Sequence, residues 1–345
     1  MQTALWNDQL VWAQNEVKKT QRTYYCPDCG QRVHLCQGSD HRPYFAHYAK
    51  SRCDANETIV HQLGKHQIER WLALQGWSSY SEVYLPTVRQ RPDVLTRIND
   101  QWIAIEFQCS PLSVKRLIER NQGYAKLGIA YRWFLGPTYA HQLRPYKAAQ
   151  FLQWHEQQLT LPFWDLSRQQ PNYQRKRPIS RIEMGRQDVW QVLIQQTRQL
   201  QRQVYFAAPR LRRLADQAYL MGHGTLSTCP LVAHDTHPQW DLMAESPLEW
   251  RVSVILSLEQ CTLGQGWSWS EWYDLLNQSV KWLPLPCLSP AQINLVRHRL
   301  LACYTQELAL AGIIRCQTQV KIIQRPRWFK SYEHKLGYLK QLANI

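Results

Sequence analysis

Negative charge is in short supply in this chain: 26 aspartates and glutamates face 41 lysines and arginines, a formal net charge of +15 over 345 residues. Such an excess draws a polyanion before any specific contact forms, which makes nucleic acid the expected partner and an anionic membrane surface the second. Long apolar runs are missing too, so no segment is expected to span a bilayer. The opening residues, Met1-Gln-Thr-Ala-Leu-Trp-Asn-Asp8, have neither a basic start nor an apolar core. A secretory leader is therefore not expected, and a cytoplasmic location is. Cysteines are spread thinly, ten in all, which argues for thiols or a metal site over a disulfide scaffold. What is present is enough apolar material, 44% of residues, to build two or three domains and to exclude a disordered chain.

The stretch that organises the chain is Arg91-Pro-Asp-Val-Leu-Thr-Arg-Ile-Asn-Asp-Gln-Trp-Ile-Ala-Ile-Glu-Phe-Gln108. Val94, Thr96 and Ile98 alternate, as do Trp102, Ala104, Glu106 and Gln108, with Asn99 and Asp100 as turn formers between the runs, so a β-hairpin is expected. Glu106 and Gln108 share one face, opposite Ile103, Ile105 and Phe107, and the return strand brings Glu106 beside Asp93. A lone carboxylate is costly to bury, so each acid needs a cation, a hydrogen-bond network or a metal. A divalent ion held by the pair is the expectation.

Upstream, Tyr24-Tyr-Cys-Pro-Asp-Cys-Gly-Gln-Arg-Val33 contains a Cys-x2-Cys knuckle at Cys26 and Cys29, a turn that lets two thiolates converge on one zinc ion. His47 and Cys53 supply a second ligand pair, with Cys36 and His41 as alternatives; a tight turn with buried thiols is the competing reading. Four protein ligands make such a zinc structural, because no position stays open for water. Residues 1–56 are thus expected to form a small zinc-finger-like module.

From Glu57 to about Gln75 the spacing of Val60, Leu63, Ile68, Trp71 and Leu72 predicts a helix, on which Glu57, His61 and Lys65 recur every four residues on one face. Ser79 to Leu85 reads as a strand with Glu82 within it, and Leu112 to Leu127 as a helix. Ile129-Ala-Tyr-Arg-Trp-Phe-Leu135 reads as a buried strand closed by Gly136-Pro. The expected order is helix, strand, strand, strand, helix, strand.

That order, with Asp93 on the second strand and Glu106 on the third, resembles the PD-(D/E)xK nuclease core. In detail the chain is similar to the CoiA competence proteins of transformable Gram-positive bacteria. The likeness rests on Cys26-Pro-Asp-Cys29, Tyr44-Phe-Ala-His47, Glu57-x3-His61-x3-Lys65, Arg91-Pro-Asp93, Ile105-Glu-Phe-Gln-Cys-Ser110 and Arg120-x3-Tyr124, all within the first 124 residues. The resemblance implies an α/β restriction-endonuclease-like core over residues 57–150 and a role in handling incoming or recombining DNA during natural transformation. On it, Asp93 and Glu106 would hold Mg²⁺ or Mn²⁺ for phosphodiester hydrolysis, with the Phe107 carbonyl as a further oxygen ligand. Where the superfamily motif most often has lysine, two residues after the glutamate, this chain has Gln108. Glutamine can orient a water but adds no positive charge to the transition state. Lys65 is the candidate for the missing charge, His61 for a metal or phosphate contact, and Arg120 with Tyr124 for docking the DNA backbone; core packing is the other reading of Tyr124.

Residues 151–345 are expected to be mainly α-helical and basic. Between Arg168 and Arg213, eleven basic residues stand against Glu183 and Asp188, interleaved with Tyr173, Trp190, Tyr205 and Phe206, a composition suited to single-stranded DNA. Cys229, His234 and His237, with His223 nearby, form half a metal pattern without a second half and read as a loop. Ala291 to Leu310 reads as a helix, and Val320-Lys-Ile-Ile323 with Arg325-Pro-Arg-Trp-Phe-Lys330 adds a strand and a basic hairpin, a winged-helix-like end. Three functions of different class follow. One is a metal-dependent deoxyribonuclease acting on single-stranded or branched DNA; one is a catalytically weak DNA-binding accessory factor that recruits recombination proteins; one is a protein-interaction scaffold built on the helical half. Intact Asp93 and Glu106 favour the first.

Overall fold

A computed structural model of the chain describes residues 3–7, 9–16, 22–26, 30–38, 43–48, 59–140, 144–175, 186–206, 208–236 and 242–343. It divides into two compact units, Met1–Arg175 and Lys176–Ile345.

The first unit opens with five short strands, β1 (Thr3–Trp6), β2 (Gln9–Trp12), β3 (Tyr24–Tyr25), β4 (Arg32–Cys36) and β5 (Tyr44–His47), in one antiparallel sheet ordered β2-β1-β3-β4-β5. Alternation sets its inner face: Val33 and Leu35 of β4 join Tyr24, Cys26 and Phe45 in a small core. A core of that size stabilises little by itself, which gives a cross-link such as a metal something to add.

Next come α1 (Ile59–Leu74), β6 (Ser79–Ser81), β7 (Val94–Ile98), β8 (Gln101–Gln108), α2 (Val114–Lys126) and β9 (Ala130–Leu135), the order expected from the sequence. β6, β7 and β8 form an antiparallel meander, and β8 pairs with β9 in parallel. A parallel return needs a crossover, and α2 supplies it. The β7–β8 turn places Asn99 and Asp100 at φ 46° and 63°, the left-handed pair that a two-residue hairpin requires. Alternation along β8 then sorts the helices. Ile105 and Phe107 pack with Ile68 and Leu72 of α1, whereas Ala104 packs with Tyr124 of α2 on the other face.

The sheet does not end near residue 150. After the short helices α3 (Pro137–Ala140) and α4 (Pro145–Gln150), strands β10 (Gln153–His155), β11 (Gln158–Asp165) and β12 (Gln170–Arg175) extend it to the order β10-β11-β9-β8-β7-β6, with β12 also paired to β11. The physical reason is the run Leu159–Trp164, buried throughout and set beside β9 with Phe163 opposite Leu135. Gln67 of α1 locks this extension: it donates to the Leu166 carbonyl at 3.1 Å and accepts from Trp164 Nε1 at 2.9 Å.

The second unit is mainly helical: α5 (Arg186–Tyr205), α6 (Arg212–Leu220), α7 (Pro247–Glu259), α8 (Trp269–Gln278), α9 (Pro290–Leu310) and α10 (Tyr332–Ala343). Strands β13 (Gly266–Trp267), β14 (Ile314–Cys316) and β15 (Val320–Ile322) make a small sheet ordered β13-β15-β14. Leu193 and Ile194 of α5 pack on Leu339 and Ala343 of α10. Among the described residues, no helix is long and apolar enough to cross a membrane.

Candidate active site

The acids meet where β7 begins and β8 nears its end. Val94 pairs with Ile105, so Asp93 and Glu106 follow as the next opposed positions of the ladder. Asp93 Oδ2 accepts the Phe107 N–H at 2.8 Å and lies 3.2 Å from His61 Nε2. The His61 ring is parallel to the Phe107 ring, centroids 5.7 Å apart, which fixes the imidazole over the end of β8. One turn along α1, Lys65 forms an ion pair with Glu82, and Arg91 Nη1 stands 3.8 Å from the same carboxylate. Glu82 lies just past β6 at φ 49°, where its N–H donates to the Asp93 carbonyl at 3.1 Å.

On the α2 side, Glu106 is 4% exposed. It accepts from Arg120 Nε at 3.0 Å, from Arg120 Nη2, and from the Tyr124 hydroxyl. Arg120 Nη2 also donates to the Arg91 carbonyl at 2.8 Å. Arg120 and Tyr124, four residues apart on α2, therefore grip one carboxylate from one face. Tyr124 has no exposed surface, so its hydroxyl meets Glu106 and not a DNA backbone; burial of the whole ring decides between its two readings. Gln108 turns away from the acids, its amide donating to the Ser110 carbonyl at 2.6 Å.

Electrostatics drive the two opposed acids apart. Burial pushes Asp93 up, but the hydrogen bond and charge of His61, the charge of Lys65 and the Phe107 N–H outweigh it, leaving its pKa below the ordinary value. Burial also pushes Glu106 up; Arg120 pulls it down, the neighbouring Asp93 charge raises it again, and it comes to rest at about 7. Burial raises Glu82, and the surrounding positive charge, that of Lys65 and Arg91 included, holds it below its usual range. One acid of the pair is thus a fixed anion and the other is poised to exchange a proton near neutrality.

Glycine lets both helices come this close. A Cβ on Gly64 of α1 would fall 2.0 Å from the Phe107 ring, and one on Gly123 of α2 would fall 2.3 Å from the Gln90 amide. Periodicity points to Asp93, Glu106, His61 and Lys65 and the family resemblance to Arg120 and Tyr124, and the fold brings all six together with Glu82. Sequence reasoning missed the glycines and the double engagement of Arg91; the only signal for Arg91 is that it directly precedes Pro92-Asp93. Among the described residues, no three His, Cys, Asp or Glu side chains converge as a metal-binding group.

Of the expected zinc ligands, Cys26 and His47 are described, while Cys29 and Cys53 lie outside the described residues, as do Glu57 and the alternative His41. Cys26 is buried, its N–H donates to the Gln31 carbonyl at 2.8 Å, and its carbonyl accepts from Gly30 at 2.9 Å with Gly30 at φ 67°. His47 stands opposite Val33 on β5. Arg91 Nη2 lies 3.8 Å from Cys26 Sγ, so one arginine touches both Cys26 and the acidic site.

In the second unit the half-pattern around Cys229 is a buried network, with Lys335 Nζ donating to the Cys229 carbonyl at 2.6 Å and to His234 Nε2 at 2.8 Å. His223 pairs instead with Glu259, and His237 lies outside the described residues. Of the aromatics expected to stack on single-stranded DNA, Tyr173 is taken by His155, 3.7 Å between ring centroids, and Trp190 packs with Leu193 and Leu339. Tyr205 and Phe206 present their rings to solvent.

A family model for a nuclease-like domain, that of competence protein CoiA, matches residues 57–180, and the model of the CoiA N-terminal domain matches residues 10–56. Residues 10–180 are thus similar to the two domains of the CoiA competence proteins. It is 34% identical over 130 residues to Competence protein CoiA of Bacillus subtilis (strain 168). That match covers 37% of this chain and 35% of its relative, so about a third of each is aligned. No solved structure matches the chain.

Proposed function

We propose that the first unit is a metal-dependent deoxyribonuclease of the PD-(D/E)xK type, acting on single-stranded or branched DNA that enters or recombines during natural transformation. The observation that supports it most is the meeting of Asp93 and Glu106 on adjacent strands, between His61 and Lys65 of α1 and Arg120 of α2. The order α1-β6-β7-β8-α2-β9, with a helical crossover between the parallel β8 and β9, agrees with that superfamily. Two carboxylates and the Phe107 carbonyl suit Mg²⁺ or Mn²⁺, hard cations that bind through one or two carboxylates and keep waters of their own. When bound, such an ion polarises the phosphodiester and lowers the pKa of an attacking water.

The protein's own groups have distinct parts. His61 and the Phe107 N–H hold Asp93 oriented and ionised. Arg120 and Tyr124 hold Glu106, which gives up its proton near neutrality to become the second anionic ligand. Lys65, kept beside Asp93 by Glu82, supplies the positive charge that Gln108 does not. In the N-terminal module, Cys26, Cys29, His47 and Cys53 are proposed to hold a structural zinc. The proposed setting is the cytoplasm, where incoming strands meet recombination proteins.

The second reading is a DNA-binding accessory factor without cleavage, which recruits those proteins. It is favoured by the engagement of Gln108 with Ser110 where a lysine would otherwise face the phosphate. Cleavage of labelled single-stranded, duplex and branched DNA with Mg²⁺ or Mn²⁺ separates the two. Cutting by the wild type, lost at least ~100-fold in Asp93→Ala and in Glu106→Ala with DNA binding retained, supports the nuclease. A wild type that binds DNA and cuts none of the three substrates supports the accessory factor.

A further inference from the structure

The second unit holds a connectivity that the nuclease-like domain does not use. α7, β13, α8, α9, β14 and β15 succeed one another along the chain, and the strands lie in the order β13-β15-β14, antiparallel throughout. The strand between the first two helices therefore pairs with the last strand, and a hairpin follows the third helix directly. This is a helix-turn-helix core extended by a β-hairpin, the winged-helix arrangement. The sequence suggested the helix and the strand at Val320–Ile323, but its basic hairpin at Arg325–Lys330 forms no strand, and it carried no sign of β13, of β14 or of the strand order.

Packing fixes which face of α9 is left outward. Trp250 Nε1 of α7 donates to the Leu276 carbonyl of α8 at 3.0 Å, and Trp272 Nε1 of α8 donates to Thr305 Oγ1 of α9 at 2.9 Å. Arg251 of α7 grips Glu307 of α9 with two hydrogen bonds, 2.7 and 2.9 Å. Val296, Leu300, Tyr304 and Leu308 complete the inward stripe. The start of α9 is defined by Pro290 and a reciprocal cap between Ser289 and Gln292. Opposite the packed stripe, the N-terminal half of α9 exposes Asn294, Leu295, His298 and Arg299.

The hairpin repeats this division. Ile314, Val320 and Ile322 are buried, while Arg315 and Lys321 stand directly opposite each other and are exposed. Its tip is tied down by Trp269 Nε1, which donates to the Gln317 carbonyl at 3.2 Å. Most carboxylates of the segment are engaged elsewhere. Glu271 caps Ser268, Glu307 holds Arg251, and Glu259 meets His223 and Trp328; Asp274 is exposed on α8.

We propose that α9 and the β14–β15 hairpin form a duplex-DNA-binding surface. Asn294 and Arg299, with His298 between them, face base edges and backbone in the major groove, which is wide enough for a helix. Arg315 and Lys321 meet flanking phosphates. This contact needs no divalent ion and does not rest on the carboxylate site.

The test is binding of the full chain to labelled duplex DNA, followed by fluorescence anisotropy in EDTA over a range of salt. Arg315→Ala/Lys321→Ala is expected to weaken binding ~10-fold and to flatten the plot of log K against log salt by about two, one per phosphate contact. Asn294→Ala/Arg299→Ala is expected to weaken it by ~10-fold or more through lost groove contacts. Lys126→Ala/Lys340→Ala, which removes the same charge from exposed positions on α2 and α10, is expected to leave duplex binding within about twofold of wild type. Circular dichroism and thermal unfolding of each variant confirm that the comparison is between folded proteins. Equal losses from the Lys126/Lys340 pair and the hairpin pair would mean diffuse attraction and overturn the proposal, as would wild-type binding by the α9 and hairpin variants. A protein that cuts DNA yet ignores these substitutions keeps the nuclease and loses this surface; one that needs the surface and cuts nothing does the reverse.

Discussion

Each unit buries a set of charges, and the two sets are built from the same kinds of side chain to opposite ends. In the second unit, Arg251 meets Glu307 through two hydrogen bonds and gives another to the His234 carbonyl, while Lys335 donates to the Ser227 and Cys229 carbonyls and to His234 Nε2. Arg251 is 1% exposed and Lys335 not at all. In the first unit, Glu82, Asp93 and Glu106 share Lys65, Arg91, Arg120 and His61 at the end of a sheet, and the Asp93 and His61 side chains each stay 18% exposed. Burial of charge alone therefore does not single out a site. Unequal proton affinity between adjacent acids, at a position still open to solvent, does.

The largest effect that could break this contrast lies in the closed network. Arg251→Met leaves Glu307 buried without its cation, and the second unit is expected to lose ~3–5 kcal/mol of stability in chemical denaturation. Arg251→Met/Glu307→Leu removes both charges and is expected to recover most of it, since an apolar pair of similar volume replaces a desolvated ion pair. If the single substitution cost no more than a surface salt bridge, this network would be as open as the other and the contrast would fail.

Gly64→Ala sharpens the contrast from the other side. The new methyl would collide with the ring of Phe107, whose N–H holds Asp93 and whose face supports His61. Overpacking at such a contact is expected to cost ~1–3 kcal/mol in thermal or chemical unfolding of the first unit. If the proposed nuclease function holds, cleavage should fall with it even in molecules that remain folded, because the helix that carries His61 and Lys65 must lift. A variant that loses stability and cleaves normally would show that the site tolerates displacement of α1.

How much of this could be read beforehand depended on distance along the chain. The acid pair was legible because period two puts Glu106 on a known face and a two-residue turn returns it to Asp93; His61 and Lys65 followed from helical spacing. Gly64 was not, because helical periodicity says which face a residue takes and nothing of how near the sheet lies. Glu82 sits past the end of β6, and only the ladder places it beside Asp93. The run Leu159–Trp164 lacks alternation because it is buried on both faces, as strands covered on both sides are, so β11 gave no strand signal. Lys335 is 101 residues from His234, and nothing local links them. In β13, two residues long, there is no period to detect.

The smallest effect is the one that sets the two networks against each other most directly, through pH. Glu106 binds its proton more tightly in the folded chain than at its ordinary value of 4.5, with a folded value of about 7. Its contribution to stability is therefore complete below about pH 4.5 and is lost as pH rises towards 7. His234 is shifted well below its ordinary 6.5 by burial and by Lys335 and Arg251, so below that value the unfolded chain binds the extra proton. Its contribution is present above pH 6.5 and is lost as pH falls. Asp93 and Glu82, both lowered, act only below the ordinary carboxylate range and stay outside this window. Stability of wild type minus Glu106→Gln, and of wild type minus His234→Gln, measured from pH 4.5 to 7.5, should thus slope in opposite directions, downward with pH for the first and upward for the second. Two curves of the same sign would mean that Glu106 is held as an ordinary ionised partner of Arg120, and its site would then be as evenly matched as the one around Lys335.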